Sequence, residues 1–130
     1  MSNKEYIAYK GILFTIEWYF DESGYSQPFE YLMNLPPNMQ KKTFHLFKRM
    51  ADFGKINDKT KFRNEGDQIY AFKPKPERFL SFFFKGNVII ITNAFRKKAD
   101  KLPQNEKERA IKNKESYYKR VKEGKYYDKK

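Results

Sequence analysis

Residues 69–98 constrain this chain more than any other stretch. They read IYAFKPKPERFLSFFFKGNVIIITNAFRKK, three apolar runs of strand length separated by Pro- and Gly-containing breaks and closed by three cations. Alternation is clear in two of the runs. Phe79, Ser81 and Phe83 oppose Leu80, Phe82 and Phe84, while Val88, Ile90 and Thr92 oppose Ile89, Ile91 and Asn93. That period of two predicts a pair of strands. Lys85-Gly86-Asn87 is short enough to join them as an antiparallel hairpin. Lys73 and Lys75 then fall at one rim of the sheet, Arg78 enters the next strand, and Arg96, Lys97 and Lys98 close the last.

Cations at a sheet rim matter here because the whole chain is basic: 28 Lys and Arg stand against 16 Asp and Glu, a formal charge of +12 over 130 residues. The excess is uneven. Residues 96–130 hold 14 Lys and Arg against 6 Asp and Glu, and residues 1–95 hold 14 against 10. A polyanionic partner is the natural expectation. The 13 Phe and 10 Tyr supply the apolar material for a core, so disorder throughout is excluded. The length suits one domain over 1–130, with residues 1–10 as an N-terminal arm or a short added strand and 124–130 as a frayed basic tail. With no cysteine, disulfides, thiolate zinc sites and cysteine nucleophiles are excluded. No run approaches the roughly 18 apolar residues of a membrane span, which points to a cytoplasmic protein with no membrane partner.

Ile12, Phe14, Ile16 and Trp18 alternate and predict the first strand, stopped by Asp21-Glu22-Ser23-Gly24. Ser26-Gln27-Pro28 is a helix start, and Pro36-Pro37 ends that helix. Met39, Thr43, Leu46, Phe47 and Met50 mark a second helix, broken at Phe53-Gly54. The two pair as a hairpin over the sheet. Residues 55–66 read as a polar connection. After Leu102-Pro103, residues 104–121 are an amphipathic helix with Ala110, Lys114, Tyr117 and Val121 on one stripe.

That order of elements, with F-K-P-K, R-F-L-S-F-F-F, the run I-I-I-T-N-A-F-R-K-K-A-D-K-L-P and the E-R-A-I-K-N-K-E-S-Y helix, resembles the RelE/ParE superfamily of small toxins, most of all its HigB-type, phage-associated branch. The resemblance implies an α+β fold, a twisted, mostly antiparallel sheet with a helical hairpin and a C-terminal helix. It also implies a toxin of a toxin–antitoxin system that cleaves translated mRNA on the ribosome, a metal-independent endoribonuclease with no cofactor. In that chemistry the RNA's own 2′-hydroxyl attacks the adjacent phosphate. A base for the hydroxyl, cations for the crowded phosphorane and a proton donor for the leaving 5′-oxygen are then needed. Expected partners are the ribosome, mRNA and a cognate helix-turn-helix antitoxin.

By the same resemblance, Arg78 and Lys97 are the expected catalytic residues, and Lys73, Lys75, Arg96 and Lys98 the expected RNA-binding ones. Two positions depart from the pattern. Leu80 stands where RelE-like toxins carry a further arginine, and Asn93 where many HigB-type sequences place a histidine. These departures motivate the alternative, a ParE-like gyrase inhibitor or a catalytically inactive binding protein of the same fold. A basic RNA-binding domain unrelated to toxins is the third reading. His45, the only histidine, lies among Phe44, Leu46 and Phe47 and reads as structural. Tyr70, Phe72 and Phe82 read as core before they read as base-stacking residues.

Overall fold

A computed structural model describes residues 5–99 and 101–127. In chain order the elements are β1 (Ile7–Lys10), β2 (Thr15–Trp18), α1 (Gln27–Met33), α2 (Pro37–Phe53), β3 (Phe62–Asn64), β4 (Tyr70–Phe72), β5 (Glu77–Phe84), β6 (Val88–Arg96) and α3 (Gln104–Lys122). The six strands form one sheet in the order β1-β2-β6-β5-β4-β3. Every neighbouring pair is antiparallel except β2 and β6, which run parallel. The expected α+β architecture is therefore present. Among the described residues no helix is long and apolar enough to cross a membrane.

Local chemistry sets the helix ends where the residues predict them. The Ser26 hydroxyl accepts from Phe29 N at 3.4 Å and Pro28 occupies the first turn of α1, where its missing N–H costs nothing. Helix α2 begins on Pro37 and ends on Gly54, whose φ of 83° places it in the left-handed region. The first strand differs from expectation, because the alternating stretch that starts at Ile12 is interrupted. Gly11 approaches α2 so closely that a Cβ there would lie 2.4 Å from Ala51 Cβ. Leu13 N and Phe14 N both donate to Ala51 O, at 2.8 and 3.0 Å. The chain turns at this contact, so Ile12 is exposed, β1 comes before the turn and β2 after it.

Both faces of the sheet are covered. Helices α1 and α2 lie over Ile16, Trp18, Phe72, Phe79, Ile89 and Ile91, with Phe47 of α2 set edge-on against Phe72 and Trp18. Helix α3 covers the opposite face, where Leu80, Phe82, Ile90 and Phe95 meet Ala110 and Tyr117. Burial on two sides is why β5 and β6 are apolar at both parities of their alternation. Each fully buried Phe or Ile contributes about 1.5–3 kcal/mol.

Two further expectations are corrected. In β6 the register slips, with Leu80 opposite Asn93 but Ser81 opposite Ile91, so Thr92 is an extra residue in the strand. The bulge turns Asn93 away from the face of Ile89 and Ile91 and toward α3, where its Nδ2 donates to Glu106 Oε1 at 3.0 Å. Asn113 of α3 donates to the Thr92 carbonyl at 3.1 Å. Residues 124–127 are also not frayed. Tyr126 is 2 % exposed and its hydroxyl accepts from Phe20 N at 2.9 Å and donates to Trp18 O. Tyr127 reaches Glu17, and Arg120 caps the Phe20 carbonyl at 2.9 Å while lying over the Tyr126 ring. The remaining residues of the expected tail, 128–130, fall outside those described.

Candidate functional site

Cations gather at the end of the sheet at which β5 begins and β6 finishes. Arg63 of β3 pairs in register with Ala71 of β4, and Arg78 of β5 with Phe95 of β6. Ala71 and Phe95 belong to the α3-side core, so period two puts Arg63, Lys73, Arg78 and Lys97 on that same side. Above them α3 begins. Its cap residue, Pro103, makes no side-chain cap hydrogen bond, so the positive end of the helix dipole meets the sheet here with no competing acceptor from the cap.

Between these elements is a cleft of about 270 Å³. Among the described residues it is lined by six cations, Arg63, Lys73, Arg78, Lys97, Lys101 and Lys107, against one carboxylate, Glu65. Phe95, Leu102 and Pro103 form its apolar floor and Gln104 its rim. Arg78 is 7 % exposed, and its guanidinium is held by donation to the Glu77 carbonyl at 3.0 Å. Burial pushes both the Arg78 and the Lys73 pKa below their ordinary values, and at Lys73 the neighbouring Arg78 charge pushes the same way. Arg78 remains charged regardless, and of the two it is the lysine that holds its proton less firmly. The Lys73 ammonium is positioned by donation to the Lys59 carbonyl at 3.2 Å. Lys107 is tethered to Asp67 at 2.9 Å across the β3–β4 turn.

The structure thus brings together three of the six residues singled out from sequence, Lys73, Arg78 and Lys97. Lys75 and Lys98 are exposed outside the cleft. Arg96 points to the other face, where its NH1 donates to Glu77 Oε2 at 3.1 Å; Glu77 is 2 % exposed and also accepts from the Tyr31 hydroxyl. Arg96 therefore neutralises a buried carboxylate. Leu80, at the position of the expected arginine, is fully buried beneath α3 with Phe82 and Ala110. A cation there would sit under the helix and out of the cleft.

Arg63, Lys101 and Lys107 were not legible as site residues. Arg63 sits in the stretch read as a connection, and Lys107 looks like any solvated helix cation until α3 is docked. Their only common sequence signal is position outside the strand block, Arg63 before it and Lys101 and Lys107 after it. His45 is exposed on α2 and does not line the cleft. Phe72 and Phe82 are core, and Tyr70 packs between Phe62 and Phe83.

A family model described as phage derived protein Gp49-like (DUF891) matches residues 30–115, a span that contains all six cleft cations. No curated protein matches the chain.

Proposed function

The chain belongs to the Gp49-like family of phage-derived proteins, a toxin-like family of toxin–antitoxin systems, and from that premise we propose that it is a toxin that cleaves translated mRNA on the ribosome. The observation that carries this reading is the convergence of six cations and the start of α3 on one cleft. Such a cleft suits a phosphodiester better than a neutral substrate, and grows most favourable toward a dianionic phosphorane, whose extra charge develops only in the transition state.

In the proposed reaction Arg78 and Lys97 grip the scissile phosphate. Lys73, in its neutral form, takes the proton of the 2′-hydroxyl. A neutral amine keeps two N–H groups, so the bond to the Lys59 carbonyl can persist while the lone pair faces the substrate. The new bond joins O2′ to phosphorus, the bond from phosphorus to O5′ breaks, and Lys97 protonates O5′. The products are a 2′,3′-cyclic phosphate and a free 5′-hydroxyl. Arg63, Lys101 and Lys107 neutralise the flanking phosphates. A cognate antitoxin would silence the protein by covering this face.

The test is mapping of mRNA 5′ ends by primer extension in a translating extract, comparing wild type with Lys97→Ala and Arg78→Ala and checking folding by thermal melts. New ends that require ribosomes and fade in the folded variants support the reading. Intact mRNA with folded wild-type protein overturns it.

A further inference from the structure

On the opposite face of the same strand ends is a second pocket, of about 350 Å³, lined in part by Tyr25, Glu30, Tyr31, Asn34, Glu77 and Arg96. We propose that it receives a nucleobase of the RNA whose phosphate lies in the cationic cleft. This rests on the RNA-binding reading above.

Position comes first. Glu77 and Arg96 pair in register at the sheet end, and their immediate neighbours Arg78 and Phe95 line the cleft on the other side. The two pockets are therefore back to back, and a strand leaving the cleft can reach the second one by rounding the strand ends past the exposed Lys98.

Charge divides the labour between them. The cleft is strongly cationic, whereas the second pocket has two carboxylates, Glu30 and Glu77, against the single Arg96. It disfavours a phosphate and suits a base edge that donates hydrogen bonds. Glu77 is already occupied by Tyr31 and Arg96. The Glu30 carboxylate has no partner among the described residues. Asn34 spends one of its two amide N–H groups on the Glu30 carbonyl at 2.8 Å, and its Oδ1 is a further acceptor.

Tyr25 supplies the stacking surface. Of the ten tyrosines, nine have rings against another ring or a cation; among the described residues only the Tyr25 ring touches neither, and it is 51 % exposed. Its backbone is nonetheless pinned, with Tyr25 N donating to Asp21 Oδ1 at 3.1 Å and Asp21 N donating to Tyr25 O at 2.8 Å. An open aromatic face on an anchored stretch of backbone is what base stacking can use. The pocket should therefore favour bases with an exocyclic amino group over uracil.

The experiment is fluorescence anisotropy with single-stranded oligoribonucleotides, one set too short to round the strand ends and one long enough. Wild type should bind the long set more tightly. Tyr25→Ala should remove about tenfold of that gain and leave short-oligonucleotide binding unchanged. Tyr25→Trp should retain it, and Glu30→Ala should erase discrimination against uridine tracts. Equal binding of both sets by wild type, or a Tyr25→Ala variant that matches wild type on the long set, overturns the proposal while the short set still reports on the cleft. Wild-type protein that binds neither set overturns the base-pocket proposal, whereas the cleavage reading is decided by the ribosome-dependent primer-extension test.

Discussion

Removing the Tyr126 hydroxyl tests whether the C-terminal segment is part of the fold. In Tyr126→Phe the ring contacts to Tyr117, Tyr6 and Tyr127 can remain. What is lost is the acceptor for the buried Phe20 N–H, 2.9 Å away, and the donor to Trp18 O. A buried donor left without an acceptor costs about 1–3 kcal/mol, so a loss near 2 kcal/mol is expected. Tyr126→Ala also removes the ring and should cost about 3–5 kcal/mol. Truncation after Gly124 should match or exceed the alanine variant. Urea denaturation followed by far-UV circular dichroism gives all three values, with unchanged slopes showing that the folded state keeps its extent. A Tyr126→Phe protein within about 0.5 kcal/mol of wild type, together with a stable truncation, would falsify the docked tail.

Other outcomes follow from the same geometry. Burial raises the Tyr117 pKa to about 12 and those of Tyr126 and Tyr127 further. Their neutral forms are favoured in the fold, so this contribution is intact below the unfolded tyrosine pKa near 10 and is lost as pH rises; alkaline titration should show unfolding, and stability independent of pH to about 12 would refute it. Arg96→Ala should lower stability by about 1–3 kcal/mol, because it leaves the buried Glu77 carboxylate with Tyr31 alone even though the arginine itself is 64 % exposed, and Lys97→Ala should weaken RNA binding. If Lys97 contacts a phosphate, its loss should also lower the slope of log affinity against log salt by about 0.7, as measured by binding titrations at several salt concentrations. Since Lys73 is shifted below the ordinary lysine range, the rate should rise with pH and level off before an unperturbed lysine would titrate; Lys73→Arg should bind RNA but cleave poorly, and a normal pH–rate profile in that variant would remove Lys73 as the base.

How far the residues announced this molecule depends on how local each signal was. The β5–β6 hairpin and both ends of α1 and α2 were readable because alternation, a proline pair and a glycine each act within a few residues. Strand β1 was readable only as one of two alternatives for residues 1–10, and β3 not at all. They are four and three residues long and half exposed, so they exist through ladders to β2 and β4 more than through any pattern of their own. The Thr92 bulge was hidden for a related reason: strict alternation is the default reading, and only the packing of Asn93 and Asn113 against α3 and β6 shows the extra residue. In the cleft, Lys73, Arg78 and Lys97 share one strand block and were found together. Arg63, Lys101 and Lys107 join them only when distant segments meet, which no spacing along the chain reports.

The docking of α3 has a temporal consequence during synthesis. The cleft has its sheet floor once β6 is made, but Lys101, Lys107 and the open helix start arrive later, and the segment that clasps Trp18 and Phe20 arrives last. A growing chain that lacks residues 101–127 therefore holds four of the six cleft cations and an uncovered α3-side core. The cleft is therefore completed only after α3 has been made and docked, whatever it binds.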